Sequence, residues 1–407
     1  MIVGRSRFRR RALVASIPLS VEASAHSDKA ATHLRASIDA AGGWLSFERW
    51  MSEALYAPGI GYYSAGNLKL PGAQAHEYAQ SQTTPVLPPG DFVTAPELTP
   101  VFAQTLAQDV AAVLRASDSL EVLEFGAGSG VLAGDLIDAL DTQGLPVRYT
   151  IIEVSADLRA VQCERLAAYG TRVIWRDGLP EAFVGCVVAN EVLDAMAVRA
   201  FGFDANGAVF ERGVSVDEEG RFVWANRLAS AHLRAAIDGR LPVMPGYCSE
   251  INLQGEAWVR AMSQWLTRGA ALLIDYGFPQ TEYYHPQRAG GTLMAHISHH
   301  AHDDVLAAPG IQDITAHVDF TAMAQAALDG GLDLLGFAAQ GRYLMNAGLA
   351  RHLPTRGDTA AQARTLGAVN KLVSEAEMGE LFKVLAVGRD IDPVLAGFSS
   401  RDRRHML

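Results

Sequence analysis

The sequence predicts an α/β protein with a doubly wound, Rossmann-type sheet, a helical N-terminal cap and two insertions. Three observations carry that reading. From residue 120 onward, apolar runs of strand length alternate with amphipathic stretches of helix length, the pattern of a parallel sheet covered on both faces. The first run, "LEVLEF", passes into the glycine-rich turn "GAGSG" and then into "VLAGDLIDALDTQG", a helix that Gly144 ends. The alternation is broken near residues 198–255 and again near 279–318.

In chain order, residues 1–30 hold five arginines before the first acid, Glu22, and are read as a basic, disordered extension. A transit peptide, an unstructured tail and an upstream start codon all fit this composition. Residues 31–118 form the helical cap. Its first part has helical periodicity through Leu45, Phe47, Trp50, Met51 and Leu55, and residues 64–90, rich in Gly, Pro, Thr and Gln, are read as a mobile loop. Thr99 and Pro100 then open a further helix. The core spans residues 119–390. "VRYTIIEV" is strand two, Ser155 caps the helix "ADLRAVQCERLAAYG", and "TRVIW" and "GCVVAN" are strands three and four. The first insertion opens as an antiparallel meander with turns at "DANG" and "DEEG". "AALLIDYGF" is strand five, and "LDLLGFAAQ" and "FKVLAVG" close the sheet before a tail, residues 391–407.

Bulk properties exclude several function classes. A net charge of −11 argues against nucleic acid as a partner and favours a basic protein segment. No apolar run reaches the roughly 18 residues of a membrane-spanning helix, so no membrane insertion is expected. Three widely spaced cysteines build neither a disulfide framework nor a CxxC metal site, which points to a reducing compartment. A bacterial cytoplasm is expected, with the mitochondrial matrix as the alternative.

The glycine turn decides between cofactors. A dinucleotide turn has a third glycine where this chain has Val131. The spacing present is Glu124-x-Gly126-x-Gly128-x-Gly130, with Ala127 inside the turn. An acid at the strand end repels a pyrophosphate but suits the sulfonium and ammonium groups of S-adenosylmethionine. No lysine follows at P-loop spacing. Glu153, at the end of strand two, can accept both ribose hydroxyls of a nucleoside. Asp177-Gly178, after strand three, is either a further cofactor contact or a plain turn.

Strand four stops at "ANEVLDAM". Asn190 there is assigned to the cofactor, and Glu191 and Asp194 are the candidate catalytic pair, holding a cationic or proton-losing nucleophile, for which arginine would fit. The bland alternative is a helix start, with Asn190 as its cap and Glu191 in its first turn. Asp275 and Tyr276, ending strand five, are candidate walls of the substrate lip. The stretch "HISHHAHDD" holds His296, His299, His300, His302, Asp303 and Asp304. It is read as loop-like, its side chains hydrogen-bonding to fix the loop, with no metal assigned. Gln312, Asp313, His317 and Asp319 are read the same way, or as contacts to cofactor or substrate.

Taken together, "GDFVTAPELTP", "LEFGAGSG", "ANEVLDAM", "LLIDYGF", "EYYHPQRAGGTLMAH", "QDITAHVDFT" and "MGELFKVL" occur in the order in which they resemble the MidA family of S-adenosylmethionine-dependent methyltransferases. The resemblance runs over residues 35–390. It implies a Rossmann-type methyltransferase fold, cofactor binding at Gly126–Gly130 and Glu153, and, from the mitochondrial branch that assists respiratory complex I assembly, a protein arginine as acceptor. Two alternatives stand beside this enzyme: a cofactor-binding assembly factor that only docks a partner, and a nicotinamide dehydrogenase, which Val131 and Glu124 disfavour. A homodimer is an assembly that the reading allows.

Overall fold

The structure, a computed structural model, describes residues 19–64, 94–297, 300–355 and 358–407. The chain divides into two compact units. One comprises residues up to 93, Ala195–Gln254 and Tyr284–His317; the other comprises Thr94–Asp194, Gly255–Tyr283 and Val318–Leu407.

The second unit carries the large sheet. Its main strands are β1 (Glu121–Phe125), β2 (Arg148–Ile152), β3 (Val173–Arg176), β4 (Phe183–Asn190), β5 (Leu266–Phe278), β6 (Asp333–Ala339) and β7 (Phe382–Arg389), and an eighth, Val318–Asp319, pairs in parallel with the end of β5. The main strands are ordered β6-β7-β5-β4-β1-β2-β3. The neighbours from β5 through β3 are parallel, as alternation with helices dictates. β7 is antiparallel to both β5 and β6, so the sheet is mixed rather than wholly parallel as the sequence pattern suggests. The physical reason is connectivity. The chain leaves β6 and re-enters at β7 on the same sheet edge, which a sequence of alternating elements does not reveal.

Helices α1 (Val101–Ser117), α2 (Val131–Thr142), α3 (Ala156–Arg165), α4 (Leu253–Trp265) and α5 (Phe320–Gly330) belong to this unit, apart from the first two residues of α4. α1, read from sequence as part of the N-terminal cap, therefore packs with the sheet. Its Phe102, Leu106, Val110 and Leu114 share one core with Val122, Tyr149, Val188 and Leu272. Helix ends follow their expected chemistry. Ser155 Oγ accepts from Leu158 N at 3.3 Å, Asp319 Oδ1 accepts from Ala322 N at 3.2 Å, and Gly144 has φ +74° just beyond α2.

The tail is ordered against this unit. Arg403 N donates to Phe337 O at 2.7 Å along the outer edge of β6, covering an edge that would otherwise offer unpaired groups. Upstream, the fully buried Asp109 of α1 accepts from Ala396 N at 2.7 Å and Gly397 N at 3.0 Å. Asp109→Leu leaves both amides unsatisfied, with an expected loss of about 3 kcal/mol. A lower melting temperature, with first proteolytic cleavage moved into residues 391–407, is the result to look for. An unchanged melt would contradict the anchoring role.

The first unit contains helices Val21–Ala40 and Phe47–Tyr56 and a five-stranded antiparallel sheet that includes the meander Arg199–Phe203, Val209–Val216 and Phe222–Leu228. Its two turns share one device. Asp204 Oδ1 and Asp217 Oδ1 each accept two following amides, and Gly207 and Gly220 supply φ near +80°. The first helix begins at Val21, inside the stretch read as disordered extension, with Ser20 Oγ accepting from Ala23 N at 3.1 Å. Its buried face is largely alanine (Ala23, Ala30, Ala31), too small to register as a hydrophobic stripe in sequence. Residues 1–18 of that extension, and the mobile loop read at 64–90 apart from Ser64, lie outside the described residues.

The histidine-bearing segment is not a loop throughout. Met294–Ile297, His300–His302 and Asp313–Thr315 form a three-stranded antiparallel sheet. His296 faces Ala301 across the ladder, while His299 lies outside the described residues. Among the described residues, no three His, Cys, Asp or Glu side chains come together as a metal site. Burial holds His296 and His302 below the ordinary histidine range. Gln312 Nε2 donates to Val305 O at 2.7 Å, a local tie, and Asp313 Oδ1 accepts from Tyr63 Oη at 2.9 Å, a tie to a residue 250 positions away in sequence.

Candidate active site

β1 sits between β2 and β4. The chain winds outward through β2 and β3 on one side and through β4 and β5 on the other, so the carboxyl ends of β1 and β4 border the switch-point crevice of a doubly wound sheet. The sequence-predicted site residues gather along this edge. Gly126–Gly130 follow β1, Glu153 follows β2, Asp177 follows β3, Asn190 ends β4, and Asp275 and Tyr276 lie near the end of β5.

The glycine turn is a cradle. Gly126, Gly128 and Gly130 have φ of +60°, +52° and +82°, a region that L side chains disfavour. A Cβ on Gly128 would meet nothing within 4 Å, so space for a ligand opens directly over the backbone. A Cβ on Gly126 would approach Val192 Cγ2 at 3.2 Å. α2 starts after Gly130 without a side-chain cap, leaving its first-turn amides to other acceptors. Ala127 is buried within the turn, and Ser129 Oγ donates to Glu97, tying "TAPEL" to the loop. An adenosyl cofactor fits these residues, because the backbone is open where a ribose or carboxylate would approach. The nearly buried Asn190 Oδ1 also has no hydrogen-bond partner and points to a missing donor.

The two acids are environmentally distinct. Glu124 is not at the strand tip but inside β1, 2% exposed, with Tyr149 Oη donating to its Oε2 at 2.8 Å. Burial pushes its carboxyl up to about 8; the Tyr149 hydrogen bond opposes this and the neighbouring Glu153 charge adds to it. Burial thus favours the neutral carboxyl and works against the simple charge match expected from sequence. Because the folded state holds this proton more tightly, Glu124 contributes stability that is fully present below its ordinary value of 4.5 and lost as pH rises toward about 8. The melting temperature of ligand-free protein is accordingly expected to fall across that window. Glu124→Gln should flatten the fall, and an unaltered slope would assign it to other groups.

Glu153 is buried and accepts from Ser155 N at 2.9 Å. Its Oε2 accepts from Gln162 Nε2 at 3.0 Å, and the same nitrogen donates to Gly128 O at 2.9 Å. Gln162, on α3, is 0% exposed and its Oε1 accepts from Trp175 Nε1 at 3.0 Å. Neither Gln162 nor Trp175 is marked by any sequence motif. Only the polar residue at a helix position facing the sheet could have signalled Gln162.

At the end of β4 the helix-start alternative is ruled out, because no helix follows Asn190. Glu191 has φ +53°, a left-handed conformation rare for a non-glycine residue. Its backbone N donates to Ile274 O at 2.8 Å, and its Oε1 accepts from Asn190 Nδ2 at 3.0 Å. Asp194 is buried. Asp275, expected as a wall of the substrate lip, is instead 1% exposed. Its carboxylate accepts from Leu193 N at 2.9 Å, Asp194 N at 3.2 Å and Tyr276 N at 2.9 Å, so it shapes the loop that presents Asp194. Tyr276 is also buried and packs on Phe382, its ring centroid 5.3 Å away. Both side chains are therefore buried in this structure rather than open on the lip, Asp275 through its bonds to backbone amides and Tyr276 through its packing on Phe382. Burial, then the charges of Asp194 and Glu191, hold the Asp275 carboxyl well above the usual carboxylate range. Asp177 reaches the same edge but is exposed and paired with Arg159 of α3 at 2.5 Å.

Comparisons with known proteins agree with this geometry. Residues 102–338, more than half of the chain, match the model of a family described as S-adenosyl-L-methionine-dependent methyltransferases. A Burkholderia thailandensis protein solved with S-adenosyl-homocysteine bound is 47% identical, with 96% of this chain and 99% of that one covered at a TM-score of 0.86. The mitochondrial protein arginine methyltransferase NDUFAF7 of Danio rerio is 28% identical over 396 residues, 87% of this chain and 86% of its own length. Its Drosophila melanogaster homolog is 26% identical over 400 residues, 88% and 84% of the two chains. With a glycine cradle at the switch point and these relatives, the chain belongs to this family of S-adenosyl-L-methionine-dependent methyltransferases, and S-adenosylmethionine is its cofactor.

Proposed function

We propose that this enzyme methylates an arginine side chain presented by a basic segment of a protein, with Glu191 and Asp194 as the catalytic residues. The observation that carries the proposal is the carboxylate cluster where β4 and β5 end. Glu191 is held in a left-handed conformation, and Asp194 is buried and positioned through its amide by Asp275. Burial first, and then the charges of Asp194 and Glu191, raise the Asp275 carboxyl, and a guanidinium beside the cluster offsets both the lost water and the repulsion. Planar N–H groups also match paired carboxylates better than an ammonium does. The relatives named protein arginine methyltransferases support the same acceptor.

In this reading Gly126, Ala127, Gly128 and Gly130 line the cofactor, Glu153 accepts the ribose hydroxyls, Asn190 uses its open Oδ1 as an acceptor, and Glu124 underlies the loop. When bound, S-adenosylmethionine would supply an electrophilic methyl group, its C–S bond breaking to leave the neutral thioether. Glu191 and Asp194 accept guanidinium N–H bonds and align one nitrogen with the methyl carbon, so that positioning supplies most of the rate. As the N–C bond forms, that nitrogen loses a proton, which a carboxylate of the pair accepts. Cys163, Cys186 and Cys248 are all free thiols, and no described helix is long and apolar enough to cross a membrane. The free thiols support a reducing compartment.

The test is incubation with methyl-labelled S-adenosylmethionine and a basic peptide containing arginine, beside the same peptide with lysine. Label in the arginine peptide alone, located by fragmentation mass spectrometry, is the expected result. Label in lysine would overturn the acceptor.

A further inference from the structure

We propose that Gln162 is a positioning residue that sets the glycine loop and the ribose acid in register before the cofactor arrives. The proposal rests on the reading of Glu153 given above. One amide nitrogen bridges the two halves of the cofactor site, donating to Gly128 O at 2.9 Å and to Glu153 Oε2 at 3.0 Å. Gly128 is the glycine with open space above it, and Glu153 follows the neighbouring strand, so the bridge fixes the offset between loop and acid.

The orientation of the amide is not free to invert. Trp175 Nε1 can only donate, and it donates to Gln162 Oε1 at 3.0 Å, which commits Nε2 to the other side. Gln162 is 0% exposed, so water does not compete for these bonds. A buried polar side chain with both ends satisfied holds its partners firmly, which is the property required of a group that supports a binding site. Packing alone does not explain a glutamine here, because leucine or methionine would fill a similar volume without polar atoms to satisfy. The bond also affects charge. A donor to Glu153 favours the ionised carboxylate, the form that accepts two ribose hydroxyls, and opposes the upward push of burial.

The experiment is calorimetric titration of the full chain with S-adenosyl-homocysteine across pH, on Gln162→Met, Trp175→Phe and Glu153→Gln, with a thermal melt of each. Gln162→Met is expected to bind about ten- to a hundredfold more weakly. Its affinity should also start to fail, on acidification, at a higher pH than in the wild type, because Glu153 then holds its proton more readily. Trp175→Phe releases Oε1 without touching Gly128 or Glu153, and is expected to give a smaller loss of the same kind. It keeps the test open if Gln162→Met does not fold. Glu153→Gln should lose both affinity and this pH dependence. Wild-type affinity and pH profile in folded Gln162→Met, with Glu153→Gln weakened, would overturn the positioning role and leave the ribose reading standing. A lower melting temperature with an unmoved pH profile would likewise reduce Gln162 to a structural residue. Wild-type binding by Glu153→Gln would overturn the ribose reading, and with it the carboxylate half of this proposal.

Discussion

Glu191→Gln is expected to lower methyl transfer by about 10²–10⁴-fold while binding S-adenosyl-homocysteine within about twofold of the wild type. The amide keeps the size of the side chain and, through its oxygen, the bond from Asn190 Nδ2. The backbone constraint at φ +53° is the same for both residues, so the fold has no new reason to change. What is lost is a charge that attracts a guanidinium and a base that can take its proton. A labelled-methyl assay read beside calorimetry separates the outcomes. Equal losses in transfer and cofactor affinity would move Glu191 into the cofactor pocket. Full activity would remove the catalytic role and bring forward the docking function, in which partner binding needs the fold but not the acid.

Gly128→Val is expected to weaken cofactor binding by about a hundredfold or more, with transfer falling in parallel. Two effects add. A β-branched residue at φ +52° costs about 1–2 kcal/mol of backbone strain, and its methyls enter the open space over the loop. That space explains why the variant should still fold: a Cβ there meets no protein atom within 4 Å, so the damage falls on the ligand rather than the core. Calorimetry with S-adenosylmethionine on a variant with a normal melt checks this. Retained affinity would mean that the cofactor lies elsewhere along the sheet edge.

The parts of the site that were legible in sequence are those whose chemistry is local. β1, the glycine turn and α2 occupy one continuous stretch, and spacing alone distinguishes Glu124-x-Gly126-x-Gly128-x-Gly130 from a dinucleotide turn. Asn190, Glu191 and Asp194 are visible because polar residues at the end of a buried strand and just beyond it are costly without a use. Less legible was the segment around His296, where strands of three or four residues rich in His and Asp carry too little periodicity to distinguish from a loop. The helix at Val21 was hidden for the related reason that alanine buries a face without marking it.

By itself, the amino-acid sequence determined the alternating architecture, the glycine cradle and the identity of the acids at the strand ends, because each depends on residues within one turn or strand of one another. Only the tertiary structure decided which groups surround those acids. It buried Asp275 and bound it to the amides of Leu193 and Asp194, some 80 positions away in the chain. It lowered Glu124 into the sheet beside Tyr149, where loss of water rather than spacing governs its charge. It also joined Gly128, Glu153 and Trp175 through Gln162, a residue with no motif of its own. Burial and long-range hydrogen bonding are properties of what the folded chain brings together, and no local pattern encodes them.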